Sequence, residues 1–197
     1  MAHTNYVVLD VETNGIPSRR ISDRSEVSRH INAYKGLHVI ELAYLHPSSN
    51  TEYSSLIQHN DPSMIDVQFT TRFHGINNDM IEAAGDPAVC VLTHFYNFLV
   101  DHDIQTIVAH NVDFDIQFLI SESIFYNLPK LTNLLMNMCT VCTMKDDRVA
   151  VFMESSKWPR LEEIFRKISH ESPKVTHRAL QDCHSCHVVY KHLFLNT

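Results

Sequence analysis

The chain has 197 residues and a mass of 22.7 kDa; 44% of the residues are hydrophobic and 20% are charged. This balance excludes a disordered or collagen-like chain and predicts a single domain over residues 1–197. With 16 Lys and Arg against 23 Asp and Glu, the net charge is −7, which excludes a protein that coats nucleic acid by bulk positive charge. A phosphate-bearing substrate would need locally placed cations or metal ions.

No segment is predicted to cross a membrane. The longest apolar runs, such as Tyr6–Leu9 and Phe95–Val100, fall far short of the roughly 20 residues that a bilayer requires. The first five residues lack a cationic start and a long apolar stretch, so we expect no secretory signal and an intracellular chain, cytoplasmic by default. The five cysteines are then expected to be reduced thiols rather than a disulfide framework.

The first part of the chain predicts three strands in an antiparallel meander. Runs of β-branched, aromatic and other apolar residues occupy Tyr6–Glu12, His38–Leu45 and Glu52–Ile57, and turn-forming residues follow the first two. Residues 17–36 between the first two strands are mostly polar and locally basic. We predict an exposed insertion here, and two interpretations stay open: it guides a strand of nucleic acid, or it is a solvated loop.

The rest of the chain alternates helices and strands. Apolar residues at helical spacing predict helices, and short apolar runs predict strands buried in a sheet. The predicted helical segments are Asn77–Glu82, Pro87–His102, Val112–Tyr126, Trp158–Ile168 and Ala179–Phe194, and the predicted strands are Thr106–Asn111 and Met138–Met144. This order is typical of an α/β fold.

Two carboxylates stand at the end of the first predicted strand. Asp10 and Glu12 are two residues apart, so both lie on one face of the strand, about 7 Å apart along it. Leu9 and Val11 face the other way. Such carboxylates repel each other unless a cation neutralises them or one is protonated, and hard cations such as Mg²⁺ and Mn²⁺ prefer oxygen ligands. Two surface acids at a strand end are the alternative.

Further candidates lie at two helix starts. Asp113 and Asp115 follow a predicted strand at its junction with a helix, where open α/β sheets place ligands, although acids there also cap helices. Asp115 lies off the apolar face of that helix and can face a site. His177 stands five residues before Asp182; it could take a proton from water while the Asp holds a metal, or be one of many exposed histidines.

Read in order, Leu9–Gly15, Ala109–Leu119 and His177–Asp182 closely resemble the three exonuclease motifs of the DEDDh (DnaQ-like) 3′–5′ exonuclease family. This family includes the DNA polymerase III epsilon proofreading subunit, ribonuclease T and the TREX enzymes. The resemblance runs from Tyr6 to about Val189. It implies a ribonuclease H-like fold, in which a mixed sheet of antiparallel and then parallel strands is flanked by helices.

The resemblance implies a two-metal-ion hydrolysis of phosphodiester bonds at the 3′ end of nucleic acid, with two Mg²⁺ or Mn²⁺ ions as cofactors and nucleoside 5′-monophosphates as products. By resemblance, Asp10 bridges both metals, and Glu12 and Asp182 complete the site of the metal that carries the attacking water. Asp115 holds the second metal, and His177 is the general base. A His five residues before the last Asp is typical of the DEDDh branch.

The resemblance also implies a set of side chains that bind the 3′ end: Thr13, Asn14, Ile16, His74 and Phe114. Phe114 has an alternative role in the core, and His74, predicted in a loop before Gly75, has an alternative role in a turn. Single-stranded or frayed DNA and RNA fit the motifs equally well. A homodimer and a polymerase are the partner classes that stay open.

Two other interpretations compete. Cys139-x-x-Cys142 and Cys183-x-x-Cys186 could form a four-thiolate zinc site, although the gap between the pairs exceeds the usual zinc-ribbon spacing and buried or half-buried thiols are the alternative. The chain could also be a nucleic-acid-binding or polymerase-associated module that has lost catalysis. Against this, all five catalytic positions of the family carry the required residue type.

Overall fold

A computed structural model describes residues 5–60, 67–170 and 178–195, which contain a six-stranded mixed sheet. The strands are β1 (Tyr6–Thr13), β2 (Val39–His46), β3 (Thr51–Gln58), β4 (Asp86–Pro87), β5 (Thr106–Ala109) and β6 (Cys139–Cys142), in the order β4-β3-β2-β1-β5-β6. β1, β2 and β3 pair antiparallel, whereas β5 runs parallel to β1 and β6 parallel to β5. The predicted meander followed by parallel strands is therefore confirmed.

Helices flank the sheet. They are α1 (Gln68–His74), α2 (Asn78–Ala84), α3 (Ala88–Asp101), α4 (Val112–Phe125), α5 (Pro129–Asn137), α6 (Asp147–Met153), α7 (Leu161–Ser169) and α8 (Ala179–Tyr190), with 3₁₀ turns at Arg24–Glu26, Ser28–Tyr34 and Pro47–Ser49. Local chemistry sets several ends. Asn77 caps α2 by accepting a hydrogen bond from the Met80 N–H at 2.9 Å. Gly75 ends α1 with a φ of +74°, a conformation that favours glycine.

The side chains of β1 alternate between two cores. Its odd-numbered apolar side chains pack beneath α3, α4 and α5, whereas Tyr6 and Val8 pack beneath α7 and α8. This is the period of two that a strand imposes. Asp10 and Glu12 continue the even-numbered row, so the two carboxylates lie on the face covered by α8, as their spacing predicts.

The basic segment 17–36 is docked onto the protein rather than exposed throughout. Ile21, Val27 and Tyr34 are buried in the core. The Tyr34 hydroxyl donates to Gln117 Oε1 at 3.0 Å, and Gln117 Nε2 donates to the Ile21 carbonyl at 3.0 Å. The prediction of an exposed loop is wrong for these residues, because apolar side chains spaced along the segment anchor it to α4.

The other predicted elements are present within a few residues of their predicted bounds. The helix predicted from Trp158 begins only at Leu161, and the helix predicted to reach Phe194 changes after Tyr190 into a π-helical turn over Lys191–Leu195. Helices α1, α5 and α6 and the short β4 were not predicted. In the part of the chain that the structure describes, no helix has the length and apolarity that a membrane crossing requires.

Candidate active site

Asp10 and Glu12 lie where β1 extends past its parallel neighbour. β5 pairs with β1 only from Tyr6 to Val8, so the end of β1 is left uncovered on that edge. Helix α8 packs across β1 and β2 and carries Asp182 in its first turn. Ligand oxygens of Asp10, Glu12 and Asp182 lie within 4.8 Å of one another. The fold thus brings together acids that are far apart in sequence.

Asp115 joins this cluster from the first turn of α4. Its side chain is buried, at 2% exposure, and its Oδ1 accepts a hydrogen bond from the Val11 N–H at 3.2 Å. Its Oδ2 is also buried and has no hydrogen-bond partner among the residues described. A buried carboxylate oxygen without a partner is unfavourable unless a cation compensates it. This oxygen therefore fits the ligand of a metal ion.

The neighbouring Asp113 has a different environment. Its side chain is 53% exposed and accepts a hydrogen bond from Lys145 Nζ at 2.7 Å. The exposed ion pair leaves Asp113 at the surface while Asp115 turns inward. The structure therefore brings Asp115, and not Asp113, to the acidic cluster.

The clustered carboxyls hold their protons more strongly than isolated ones. Burial raises the pKa of Asp10 well above its ordinary value, and the negative charges of Asp115 and Glu12 raise it further. Burial, followed by the charges of Asp182 and Glu41, raises the pKa of Glu12 to about 8. Burial also raises the pKa of Asp115. A bound divalent cation would reverse these shifts, and a set of carboxylate oxygens suits Mg²⁺ or Mn²⁺.

An ion pair between Glu41 and Arg178 lies beside the cluster and was not predicted from the sequence. Glu41 lies opposite Glu12 in the β1–β2 pair and is 1% exposed. Arg178 Nε and Nη2 donate to its carboxylate at 2.6 to 3.1 Å, and the Ala179 N–H donates to it at 3.1 Å. These bonds fix the start of α8 and so the position of Asp182. The sequence did contain a signal for this pair: Glu41 is an acid within an otherwise apolar strand, and a buried acid requires a partner.

His177, the predicted general base, lies outside the described residues. In the sequence it directly precedes Arg178, whose guanidinium is held by Glu41. Its catalytic role stays a prediction.

Two of the predicted end-binding residues are engaged within the protein. Thr13 Oγ1 donates to the Gly15 carbonyl at 2.8 Å. Asn14 Oδ1 accepts from the His38 N–H at 2.7 Å, and Asn14 Nδ2 donates to the Gly36 carbonyl at 3.0 Å. The Asn14 side chain therefore ties the end of β1 to the segment before β2. Contact of either residue with a nucleic acid stays a prediction.

His74 is not the loop residue that the sequence predicted. It is the last residue of α1 and is buried, and its Nδ1 accepts a hydrogen bond from the Ile76 N–H at 3.0 Å. Burial lowers the pKa of His74, which favours the neutral ring. The loop assignment was wrong because a short helix with little apolar periodicity precedes Gly75.

Ile16 and Phe114 line an open cavity next to the acidic cluster. Ile16 is 75% exposed, and Phe114 is half-buried with its ring 4.8 Å from that of Phe118. The cavity has a volume of about 610 Å³ and extends along residues 17–22 at the start of the basic segment. Phe114 therefore belongs both to the edge of the core and to the cavity wall.

A second buried group joins β2 to α4. The potential metal-ligand atoms of His38, His59 and Glu122 lie within 4.8 Å of one another. Glu122 Oε1 accepts from the Val39 N–H at 2.9 Å and from His38 Nδ1 at 3.1 Å, and His59 Nε2 donates to the Val39 carbonyl at 2.7 Å. These hydrogen bonds hold the start of β2, while the buried Glu122 Oε2 has no hydrogen-bond partner among the described residues and lies 4.0 Å from His59 Nδ1. We assign the group to the stability of the fold because two of its three side chains bond the Val39 backbone.

The two candidate metal-binding groups within residues 5–60, 67–170 and 178–195 contain no cysteine. Cys139 is exposed and Cys142 is half-buried, whereas Cys183 and Cys186 are buried between α8 and the sheet. Burial raises the pKa of the Cys183 and Cys186 thiols. The interpretation of the four cysteines as a zinc site therefore gains no support.

Comparison with known proteins extends these observations. Residues 7–190 match the RNase T family, whose description is exonuclease. The PolC-type DNA polymerase III of Streptococcus pyogenes serotype M18 (strain MGAS8232) is 32% identical over 127 residues, which cover 64% of this chain and 7% of that protein. The corresponding protein of serotype M5 (strain Manfredo) is 31% identical over the same length. The chain thus spans only a small part of these polymerases.

Solved structures of Escherichia coli exonuclease I share the fold. The complex with a dA16 oligonucleotide has a TM-score of 0.62 and 15% identity, and covers 98% of this chain and 42% of that chain. The zinc-bound complex with single-stranded DNA has a TM-score of 0.65 and 14% identity, over 98% and 41%. The predicted ribonuclease H-like sheet flanked by helices is confirmed.

Proposed function

Because this chain belongs to the RNase T family of DnaQ-like DEDD exonucleases, we propose that it is a metal-dependent 3′–5′ exonuclease. It removes nucleoside 5′-monophosphates from the 3′ end of single-stranded or frayed nucleic acid. The enzyme is of the DEDDh type, with His177 as general base. The proposal goes beyond family membership in its polarity, its products and its dependence on two metal ions.

The observation that carries the proposal is the acidic cluster. Asp10, Glu12, Asp115 and Asp182 come from three separate elements and meet at one end of β1. The raised pKa values of Asp10, Glu12 and Asp115 and the unpartnered Asp115 Oδ2 make the cluster unfavourable as a purely structural feature. Active sites are where such unfavourable arrangements of charge are retained.

The carboxylates have defined tasks in this proposal. Asp10, Glu12, Asp115 and Asp182 would hold two Mg²⁺ or Mn²⁺ ions, which when bound supply positive charge to the phosphoryl oxygens and to the leaving 3′ oxygen. His177 takes a proton from the attacking water, and Glu41 and Arg178 hold the start of α8 so that Asp182 stays in place. Ile16 and Phe114 pack against the terminal nucleoside, with Thr13, Asn14 and His74 around it.

The test is digestion of matched oligonucleotides. A 5′-labelled single-stranded DNA, its duplex form and an RNA of the same sequence are incubated with Mg²⁺ or Mn²⁺. We expect a ladder that shortens from the 3′ end, with 5′-monophosphates as the released products. A 3′-labelled copy should release its label in the first step, which distinguishes this polarity from the opposite one.

Three controls accompany the digestion. EDTA and the Asp10→Ala variant should each abolish the ladder, and Asp113→Asn should leave it, because Asp113 lies outside the cluster. Cleavage in EDTA, or a ladder from the 5′ end, would contradict the proposal. Binding of the oligonucleotides without cleavage under either metal would instead favour the module that has lost catalysis.

Two partner classes are part of the proposal. The similarity to PolC-type DNA polymerase III supports association with a polymerase, and several members of the resembled family are dimers. Light scattering on the purified chain tests for a homodimer directly, because a homodimer has twice the chain mass of 22.7 kDa.

A further inference from the structure

The cavity lined by Ile16 and Phe114 extends past them to residues that have no role in the proposed catalysis. We call this outer part of the cavity the strand groove and define it by Arg19, Arg20, Lys145 and Trp158. It adjoins Ile16, which follows β1, and Phe114 in the first turn of α4. Phe114 directly precedes Asp115 in α4, so this end of the cavity lies beside the acidic site.

Trp158 gives the strand groove an aromatic surface. Its side chain is 50% exposed. Arg20 Cζ lies 5.3 Å and Lys145 Nζ lies 5.4 Å from the centroid of its ring. Cations that surround an exposed aromatic ring are the combination with which proteins bind single strands, where bases stack and phosphates are neutralised.

The position of Trp158 is fixed relative to the acidic site. His110, directly after β5, donates from Nε2 to the carbonyl of the buried Pro159 at 3.2 Å and contacts Thr143 Oγ1 at 3.2 Å. Burial lowers the pKa of His110 to about 4, so its ring is neutral. Because β5 leads directly into α4, the same strand end positions Trp158 and Asp115.

The charges of the groove favour an anionic occupant. Arg19 and Arg20 are exposed and form no ion pair with any residue that the structure describes. Lys145 is paired with Asp113, which makes that pair neutral. The groove therefore carries a local charge of about +2 although the whole chain is acidic.

We propose that the strand groove binds the nucleotides that precede the 3′-terminal one in a single-stranded nucleic acid. One base stacks on the Trp158 indole, and the adjoining phosphates contact Arg19 and Arg20. This inference rests on the proposed exonuclease function and adds the path by which the strand reaches the site. It also assigns the docked basic segment 17–36 a role in guiding the strand.

The chain contains a single tryptophan, so its fluorescence reports on the strand groove alone. We would titrate the protein in EDTA, which prevents cleavage, with the oligonucleotide dT8 and separately with dTMP. Stacking of a base on Trp158 is expected to quench its emission with dT8 and much less with dTMP, which occupies only the terminal position. The quenching midpoint should equal the Kd from the anisotropy of 5′-labelled dT8.

Variants measured by anisotropy test the individual contacts. Trp158→Ala should weaken dT8 binding about 5- to 100-fold, and Trp158→Phe should retain most of it, because stacking is tolerant of the ring. The double variant Arg19→Ala, Arg20→Ala should reduce the slope of log K against log salt by about 1.4, or 0.7 for each lost phosphate contact. Lys130→Ala removes an exposed cation outside the groove and is the matched control.

The outcomes separate this inference from the proposed function. If dT8 binds without quenching, and Trp158→Ala binds it as tightly as the native chain, the strand groove is wrong, while cleavage in the ladder assay still supports an exonuclease. If the arginine variant loses no more salt dependence than Lys130→Ala, the phosphate contacts are wrong. If dT8 neither binds nor is cleaved, both proposals fail.

Discussion

Replacing Asp115 by Asn is expected to stabilise the metal-free protein. The amide is close in shape to the carboxylate, and its oxygen keeps the hydrogen bond from the Val11 N–H. Its NH₂ group takes the place of the unpartnered Oδ2, so a neutral donor replaces an acceptor close to the charge of Asp10. The substitution thus removes a buried ionisable group and an unsatisfied acceptor in one step.

The size of the effect follows from the burial of the group. An unsatisfied buried polar atom costs about 1–3 kcal/mol, and more when it is charged. We therefore expect the free energy of unfolding to rise by about 2 kcal/mol in EDTA. For a chain of this length this corresponds to an increase in Tm of about 4–8 °C. Saturating Mg²⁺ should reverse the order, because only the native chain gains the full energy of metal binding.

Thermal unfolding followed by circular dichroism, with EDTA and with Mg²⁺, measures both effects. Asp113→Asn is the matched control: it removes the same charge from an exposed position two residues away and should change stability by no more than about 0.5 kcal/mol. If Asp115→Asn unfolds at a lower temperature than the native chain in EDTA, the Asp115 carboxylate is a satisfied structural group and the reasoning is refuted.

Three further predictions concern the surroundings of the site. In EDTA the free energy of unfolding should fall from pH 7 to about pH 8, because the pKa of Glu12 is about 8 in the folded chain and 4.5 ordinarily, so folding favours the protonated form. This range avoids the buried histidines, which titrate mainly below about pH 6.5. A rise in the free energy of unfolding, measured by chemical denaturation, would contradict this prediction. Arg178→Ala should lower the free energy of unfolding by about 3–5 kcal/mol, because it leaves the buried Glu41 carboxylate without its cation. Adding Glu41→Gln should restore part of the loss, and equal stability of the single and double variants would refute the pairing. Val27→Ala should lower the free energy of unfolding by about 1–3 kcal/mol, because Val27 is buried where the segment 17–36 docks. Val151→Ala, at an exposed position, should change it by less than about 0.5 kcal/mol, and similar values for the two variants would indicate an undocked loop.

The main elements of the sheet could be predicted because local patterns and tertiary structure agree. In β1 the alternation of side chains predicts which face holds Asp10 and Glu12, and the structure has the same alternation. The junction of β5 and α4 combines a short apolar strand with a helical pattern. Where the local sequence pattern and the tertiary packing favour the same element, the spacing of apolar residues is enough to predict that element.

The missed helices have different causes. The α1 segment contains aromatic and β-branched residues without a clear helical stripe, and it becomes helical in a tertiary context that buries Thr70 and His74. The α5 segment did carry a signal. Pro129 occupies its first turn, and Leu131 and Leu135 lie four residues apart on one buried face.

The remaining features depend on contacts between distant residues. Glu41 and Arg178 are 137 positions apart, and neither residue type identifies the other as its partner. Trp158 approaches Arg20 only because His110 holds the chain beside it and residues 17–36 dock on α4. Sequence patterns of short range contain no information on such pairs, so the complete site and the strand groove required the structure.

The most direct test of the central claim compares two aspartates, two residues apart in α4, in the cleavage reaction at a saturating concentration of substrate. The native chain, Asp115→Asn and Asp113→Asn are incubated with the same 5′-labelled single-stranded oligonucleotide and Mg²⁺, and the initial rates of shortening from the 3′ end are measured. We predict that Asp115→Asn loses at least about 100-fold in rate, whereas Asp113→Asn stays close to the native chain. Equal rates for the two variants, or a greater loss in Asp113→Asn, would contradict the account that the buried carboxylate cluster is the catalytic centre.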